Sequence, residues 1–428
     1  MNAGARSTAG LPSAGAQHAA ERAARSAYGR LLALLASRSR DIAAAEDALA
    51  DAFVAALTRW PVDGVPANPD AWLFTAARRT IGHARARGVT AAAGEAALAL
   101  LAAEREAAET LPFADERLKL LFVCAHPAIA ADAQAPLMLQ TVLGLDAARI
   151  AASFLVTPAA MGQRLVRAKS RIRDAGIVFV IPDPAHVGDR LGAVRAAIYA
   201  AYGTGWDHVA GTDARTLALA PEAIWLARLL LALSPDDAEN QGLLALMLFC
   251  EARRGARRDD DGGFVPLRSQ DPHRWDAAAL AEAEALLRAA ARFGTPGRFQ
   301  VEAAIQSLHA ETVLTGHANP GPLLALYDLL LAIAPSIGAQ VARAAVLADA
   351  GDPDAALDAL DAVADRATRY QPWWAARALA LHRAGNDAAA HDAAIRAAGL
   401  ASDPAARRFL LDGRLFDVAP VLDERGRA

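Results

Sequence analysis

Apolar residues recur along this chain at three- and four-residue spacing, and strand-type alternation is hard to find. The periodicity predicts a first helix from near Ala20 through Tyr28, Leu31, Leu32 and Leu35. A second starts near Asp41 or Ile42, with Ile42, Ala45, Leu49, Phe53 and Leu57 as its apolar stripe and Glu46, Asp47 and Asp51 on an acidic side. Trp60-Pro61 is expected to end it. After a loop with two prolines and a glycine, Asp70 is expected to cap a third helix, AWLFTAARRTIGHARARG. Arg78, Arg79, His83, Arg85 and Arg87 make that helix basic. Residues 1–19 read as a disordered tail, 20–88 as a first domain and 89–110 as an alanine- and glycine-rich linker. A second domain, 111–178, opens near Leu111 with two helices around Leu118, Leu121, Phe122, Leu137, Leu139 and Val142.

Leu145 to Arg173 carries the sharpest pattern. Asp146 suits the N-cap of a short helix bearing Ile150, Ala151, Phe154 and Leu155 on one face. Thr157 and Pro158 break that helix and start another, since proline needs no backbone N–H at the first helical position. The new helix turns Met161, Leu165, Ala168 and Ile172 inward and spreads Gln163, Arg164, Arg167, Lys169, Arg171 and Arg173 over its other sides. A short helix, a turn and an arginine-rich second helix with an apolar seam form the helix-turn-helix pattern, whose second helix reads the major groove. A surface helix with solvated charge is the bland alternative.

The pattern changes again near Pro182. Residues 182–428 read as a helical extension of long apolar helices. Gly203-Thr204-Gly205-Trp206 is expected to be a turn between helices rather than a phosphate loop, because no strand precedes it. Asp259–Gly263 reads as an acidic turn that lacks the spacing of a calcium loop. Gln270, Asp271, Arg274, Trp275 and Asp276 read as a knot of caps and ion pairs at a helix start. Between 338 and 400 the chain repeats itself: Gly351 and Gly385 stand 34 residues apart, with Ala355 and Ala389, and Asp358 and Asp392, in the same register. That period is the tetratricopeptide signature, and such repeats stack into a curved array that presents a face to a peptide or protein. Tyr370, Trp373 and Trp374 are expected in its core rather than on that face.

Composition adjusts this picture in a few places. Abundant alanine, the best helix former, and scarce aromatics point to an all-α protein. Of the cations only Lys119 and Lys169 are lysines, so arginine richness alone carries no nucleic-acid signal. A net charge of −4 argues against a generally basic DNA-coating protein, so DNA contact must come from local patches. Two distant cysteines, Cys124 and Cys250, give no disulfide framework and suit a reducing cytoplasm. The first residues lack a signal-peptide core and no long uncharged apolar run appears, so neither secretion nor a membrane span is expected. Cys124 and His126 lack the second pair that zinc needs, so no metal and no cofactor are expected. No nucleophile–base pair or phosphate loop is visible, and His309 on an apolar helix reads as a core residue; the chain is not expected to be an enzyme.

Taken in order, EDALADAF, AWLFTAARRTIGHARAR and GLDAARIAASFLVTPAAMGQRLVRAKSRIR resemble an extracytoplasmic-function sigma factor of the sigma-70 family. DERLKLLFVCAHPAI, SQDPHRWD and FQVEAAIQSLHAE are similar to a subgroup with a long C-terminal helical extension. The resemblance implies two small helical sigma domains, region 2 at 20–88 and region 4 at 111–178. It implies core RNA polymerase (the β′ clamp helices and the β flap) and promoter DNA as partners. Glu46, Asp47, Asp51 and Phe53 would meet the clamp helices. Trp72, Arg78, Arg79, His83, Arg85 and Arg87 would meet the −10 element. Gln163, Arg164, Arg167, Lys169, Arg171 and Arg173 would read the −35 element. The helix of the family runs roughly W-L-x-x-I-A-R-N-x-x-x-D-x-x-R-R; here Arg79, His83 and Ala86 depart from it. The resemblance implies promoter-specific initiation, with the C-terminal helices expected to regulate it either by covering the DNA-binding domains or by docking a signalling protein. The alternative is a helix-turn-helix regulator that binds DNA but not polymerase, and the acidic helix around Glu46–Phe53 is what distinguishes the two.

Overall fold

Side-chain caps set many of the helix starts among the described residues. The computed structural model describes residues 14–86, 116–154, 156–207 and 219–417. Its described residues divide into two compact units, one of residues up to Asp207 together with 219–226, the other from Ala227 onward. Among the described residues the secondary structure is helical apart from an isolated bridge between Arg258 and Phe264, and no helix is long and apolar enough to cross a membrane. The expected linker at 89–110 and the domain start at Leu111 lie outside the described residues.

In the first unit, α1 (Ala14–Ser26) and α2 (Tyr28–Ser39) replace the single helix expected from near Ala20. Helix is thus present within the stretch expected to be a disordered tail, because Ala19, Ala20 and Ala23 are buried. α3 (Ile42–Asp63) is capped by Asp41, whose carboxylate accepts the Ala44 N–H at 3.1 Å. It runs through Pro61, which forfeits one N–H but sits in the last turns, where Gly64 closes the helix by donating to the Trp60 carbonyl. α4 (Pro69–Ala86) is capped by Asn68, which accepts the Ala71 N–H at 3.1 Å, rather than by Asp70. Asp70 instead forms an ion pair with Arg30 of α2 at 2.6 Å.

α5 (Arg117–Cys124), α6 (Ala131–Leu143), α7 (Ala147–Ser153), α8 (Pro158–Asp174) and α9 (Pro184–Asp207) follow. α2 packs on α3 and α4 and also on α5 and α6. Regions 20–88 and 111–178, expected as separate domains, therefore share one core around Leu31, Leu32, Leu49, Phe74, Phe122 and Leu137. Their closest approach is at Gly29, where a Cβ would lie 1.8 Å from the Val142 carbonyl oxygen, so only hydrogen fits between the two backbones. α9 belongs to the same unit although the extension was expected from 182. It packs on α5 and α6, and Arg190 donates to the Phe122 carbonyl at 3.1 Å. Gly203–Trp206 lies inside α9, not in a turn between helices.

α10 (Leu219–Leu233) spans the division between the units. The second unit continues with α11 (Ala238–Ala252), α12 (Ala277–Ala291), α13 (Arg298–Thr315), α14 (Pro320–Ile333), α15 (Ile337–Asp349), α16 (Pro353–Asp361), α17 (Ala364–Ala367), α18 (Gln371–Arg383), α19 (Asp387–Leu400) and α20 (Pro404–Leu411). Glu239 of α11 accepts the Phe299 and Gln300 N–H groups at 3.1 and 3.0 Å, capping α13 from a neighbouring helix. Gly242 lets the same two helices touch, since a Cβ there would lie 2.6 Å from the Gln300 nitrogen. The expected knot is present: Asp271 and Asp276 cap the helices that follow them.

The 34-residue register is visible as repeated geometry. Gly351 and Gly385 take φ of 90° and 77°. Asp352 and Asn386 then accept the Ala355 and Ala389 N–H groups as the caps of α16 and α19. Trp373 is buried between these pairs, donating its indole N–H to the Leu360 carbonyl at 2.9 Å. Trp374 meets it edge to face and is partly buried, while Tyr370 is 38 % exposed.

The Gly29 crossing gives a direct test. Gly29→Ala should lower stability by about 1–3 kcal/mol through overpacking. Gly162→Ala, at a helical glycine with open space around it, should raise it by up to about 1 kcal/mol. Urea denaturation of the two variants beside the parent measures both.

Candidate nucleic-acid interface

α7 and α8 pack against each other across a short turn. Asp146 accepts the Arg149 N–H at 2.9 Å at the start of α7. Thr157 caps α8 by accepting the Ala160 N–H at 3.3 Å, and Pro158 occupies the first turn. Met161, Leu165, Ala168 and Ile172 are buried, which is the seam read from the sequence. Their burial fixes which residues of α8 face water: Gln163, Val166, Arg167 and Arg171 form one exposed stripe, with Arg173 exposed near its end. Val166, 61 % exposed among these polar groups, was not singled out from the sequence. Its place one turn after Gln163 was the available signal. Guanidinium groups with an amide and a small apolar side chain between them can bond phosphates and base edges and contact a thymine methyl.

The cations of α8, the exposed ones included, also make contacts within the unit; Arg167 donates to the Gln163 carbonyl at 3.4 Å. Arg164 pairs with Asp132 at 3.2 Å and donates to its carbonyl at 3.1 Å. Arg171 also reaches the Ala128 carbonyl at 3.4 Å, and Arg173 pairs with Asp174 at 3.2 Å. Lys169 turns inward instead. Its ammonium meets the Glu46 carboxylate of α3 at 2.5 Å, with side-chain exposures of only 11 % and 17 %. Burial raises the Glu46 pKa, more than the Lys169 ammonium lowers it. Behind this pair lies the fully buried Cys124 thiol, 3.6 Å from the Thr141 hydroxyl, which burial pushes up to about 12. His126 uses Nδ1 to accept the Ala128 N–H at 3.1 Å. Among the described residues no group of three or more His, Cys, Asp or Glu is arranged around a common metal position.

α3 distributes its four expected contact residues over different surroundings. Asp47 and Asp51 are exposed. Glu46 is held by Lys169. Phe53 lines a cavity of about 570 Å³ together with Leu57, Tyr28 and Leu145. On α4, Arg79 and His83 are exposed. Trp72 is partly buried, edge to face with Trp60 at 5.5 Å. The Arg78 guanidinium lies over the Phe74 ring at 6.0 Å, and Arg38 of α2 lies on it at 5.3 Å. Arg87 and the side chain of Arg85 lie outside the described residues. A second cleft brings three helices together: Asp47 and Ala48 of α3, Thr80 and Ile81 of α4, and Arg173 of α8 all line it.

Comparison with known proteins agrees with part of this geometry. The model of sigma-70 region 2 matches residues 24–88. A family of unknown function, DUF6596, matches residues 190–291, which begin in α9 and end in α12. The uncharacterized protein R00370 of Rhizobium meliloti (strain 1021) is 36% identical over 397 residues, covering 91% of this chain and 94% of its own length. No solved structure matches. The chain belongs to the same family as R00370, and its residues 24–88 are a sigma-70 region 2 domain.

Proposed function

We propose that this protein is a sigma factor of the extracytoplasmic-function type, which binds core RNA polymerase and directs it to promoters without chemistry of its own. The region 2 match over α2 to α4 is the observation that carries this reading. In it, α3 presents Asp47, Asp51 and Phe53 to the clamp helices. α4 meets the −10 element with Trp72, Arg78, Arg79 and His83. α7 and α8 act as the helix-turn-helix of a region 4, aiming Gln163, Arg167 and Arg171 at the −35 element, with the β flap as its polymerase contact. The exposed basic stripe on α8 supports that assignment. The tetratricopeptide-like pairs of the second unit serve as a docking platform for a regulatory protein, supported by the repeated caps and glycines at 34-residue spacing.

In vitro transcription from genomic fragments with core polymerase, with and without the full chain, tests the reading. Defined new start sites are the expected result. DNA binding without initiation or polymerase binding would replace it with a repeat-containing DNA-binding regulator. On a promoter so identified, Arg167→Ala with Arg171→Ala should weaken DNA binding. If both arginines contact phosphates, the slope of log affinity against log salt should fall by about 2. An unchanged slope would remove α8 from the DNA contact.

Lys169 has a structural role that a DNA-contact reading alone would miss. Lys169→Ala leaves the Glu46 carboxylate buried without its cation. The cost should be about 2–3 kcal/mol at neutral pH, somewhat below that of a wholly buried pair. Its sign with pH follows from Glu46: the folded-state pKa, already raised, rises further above the unfolded value. The charged carboxylate then weakens the fold, and the loss is recovered as pH falls through the folded pKa. Urea midpoints at pH 7.5 and pH 5 should therefore differ less from the parent at the lower pH.

A further inference from the structure

The second unit holds a cleft of about 820 Å³, within the range of about 300–1,000 Å³ usual for small-molecule sites. Its walls come from distant parts of the chain: Arg268 from the segment between α11 and α12, His309 and Thr312 from α13, and Asp349 at the end of α15. Ala318 and Asn319, between α13 and α14, line it as well. Polar groups on these walls are incompletely bonded. Arg268 donates through Nη2 to Oδ2 of Asp349 at 2.5 Å. Its Nη1 and the other Asp349 oxygen are buried without a protein hydrogen-bond partner. His309, expected in a core, instead lines the cleft, and among the described residues its ring makes no hydrogen bond. Buried polar groups are nearly always paired, so three such groups at one cleft mark a place where a further molecule can bond.

The charge around Asp349 and His309 is mostly positive. Arg253 donates to the neutral side chain of Gln306 at 2.7 Å and acts on His309 together with Arg268. Arg383 acts with Arg268 on Asp349, whose pKa burial nevertheless raises. Three guanidinium groups thus accompany one buried carboxylate. Glu311, the other carboxylate of the lining, is exposed. Burial, with Arg253 and Arg268 close by, pulls His309 down to about 4. Its imidazole is therefore neutral near pH 7, with one ring nitrogen donating and the other accepting. We propose that this cleft binds a small organic acid, its carboxylate or phosphate group bonded by Arg268 and His309 and the rest of the molecule beside Thr312 and Asn319. Charge-assisted bonds from a guanidinium are the strong contacts such an oxyanion needs.

The position of the cleft gives the bound acid a consequence. Asp349 stands just before Gly351, the first of the repeated joints. Arg268 lies within the stretch matched by DUF6596. An acid held between them stabilises the packing of that stretch on the tetratricopeptide-like pairs, because a ligand favours the form that binds it. The docking platform thereby comes under the control of a small molecule. That control rests on the proposed function, whereas the binding site does not.

Isothermal titration of the full chain with inorganic phosphate and, separately, with succinate tests the site at constant ionic strength. One of the two should bind saturably with a Kd at or below about 1 mM, and the tighter identifies the acidic group. His309→Phe keeps the ring size and the Arg268–Asp349 pair, and should weaken that binding at least about tenfold. Ala318→Trp fills the cleft without altering a charge and should abolish it. Should one variant fail to fold, the other decides alone. No saturable binding of either acid by the parent overturns the site. Binding that survives substitution in a folded variant places the anion elsewhere and overturns it too. The titration contains neither polymerase nor DNA, so its outcome is independent of the sigma-factor reading. In the transcription assay, the tighter acid should change the yield from the new start sites; an unchanged yield removes the control and leaves the site in place.

Discussion

The first unit depends on a close backbone crossing. At Gly29 the absence of a Cβ lets α2 lie directly on the last turn of α6, so the apolar sides of α2 can be shared between α3–α4 and α5–α6. Once α2 serves both, the segments on either side of residues 87–115 no longer have separate cores. The placement of α8 against α3 and the burial of Lys169 and Glu46 follow from that sharing. The second unit uses the same device at Gly242, where α11 meets the start of α13 and Glu239 satisfies the free N–H groups there. In a chain so rich in alanine, helices come close because their side chains are short, and glycine marks where even a methyl group is too much.

How much of this was legible in the sequence depends on the range of the interaction. Local features read well. The inward seam of Met161, Leu165, Ala168 and Ile172 followed from 3.6-residue spacing, and Thr157-Pro158 marked the start of α8 because capping chemistry is decided within four residues. The repeat around Gly351 and Gly385 was equally plain. Choices between near-equivalent local options read less well. Asn68 and Asp70 both suit a cap, and the outcome was set by Arg30 from another helix, which took the carboxylate. Pro61 has the look of a stop, although a proline in the final turns loses little. Gly203–Trp206 has the composition of a turn, but α9 runs through both glycines.

Long-range pairing was not legible at all. Nothing in EDALADAF reveals that Glu46 faces a lysine while Asp47, its neighbour, faces water, because the distinction depends on where α8 docks. The six side chains of α8 expected at the −35 element stand in different surroundings: Gln163, Arg167 and Arg171 share a face, Arg164 is tied to Asp132, and Lys169 points into the unit. Helical spacing alone separates inward from outward positions, but it does not say which outward positions another helix will cover.

The paired turns at Gly351 and Gly385 bear on how such a chain can change length. Both glycines occupy the left-handed backbone region, and each is followed by a side chain that caps the next helix in the same way. Removing residues 352–385 would join Gly351 directly to Asn386, presenting the same turn with an equivalent cap. Copying the same stretch would insert one more helix pair between matching ends. The extension is thus built with interchangeable joints, so its span can grow or shrink by whole repeats without a new junction having to be invented.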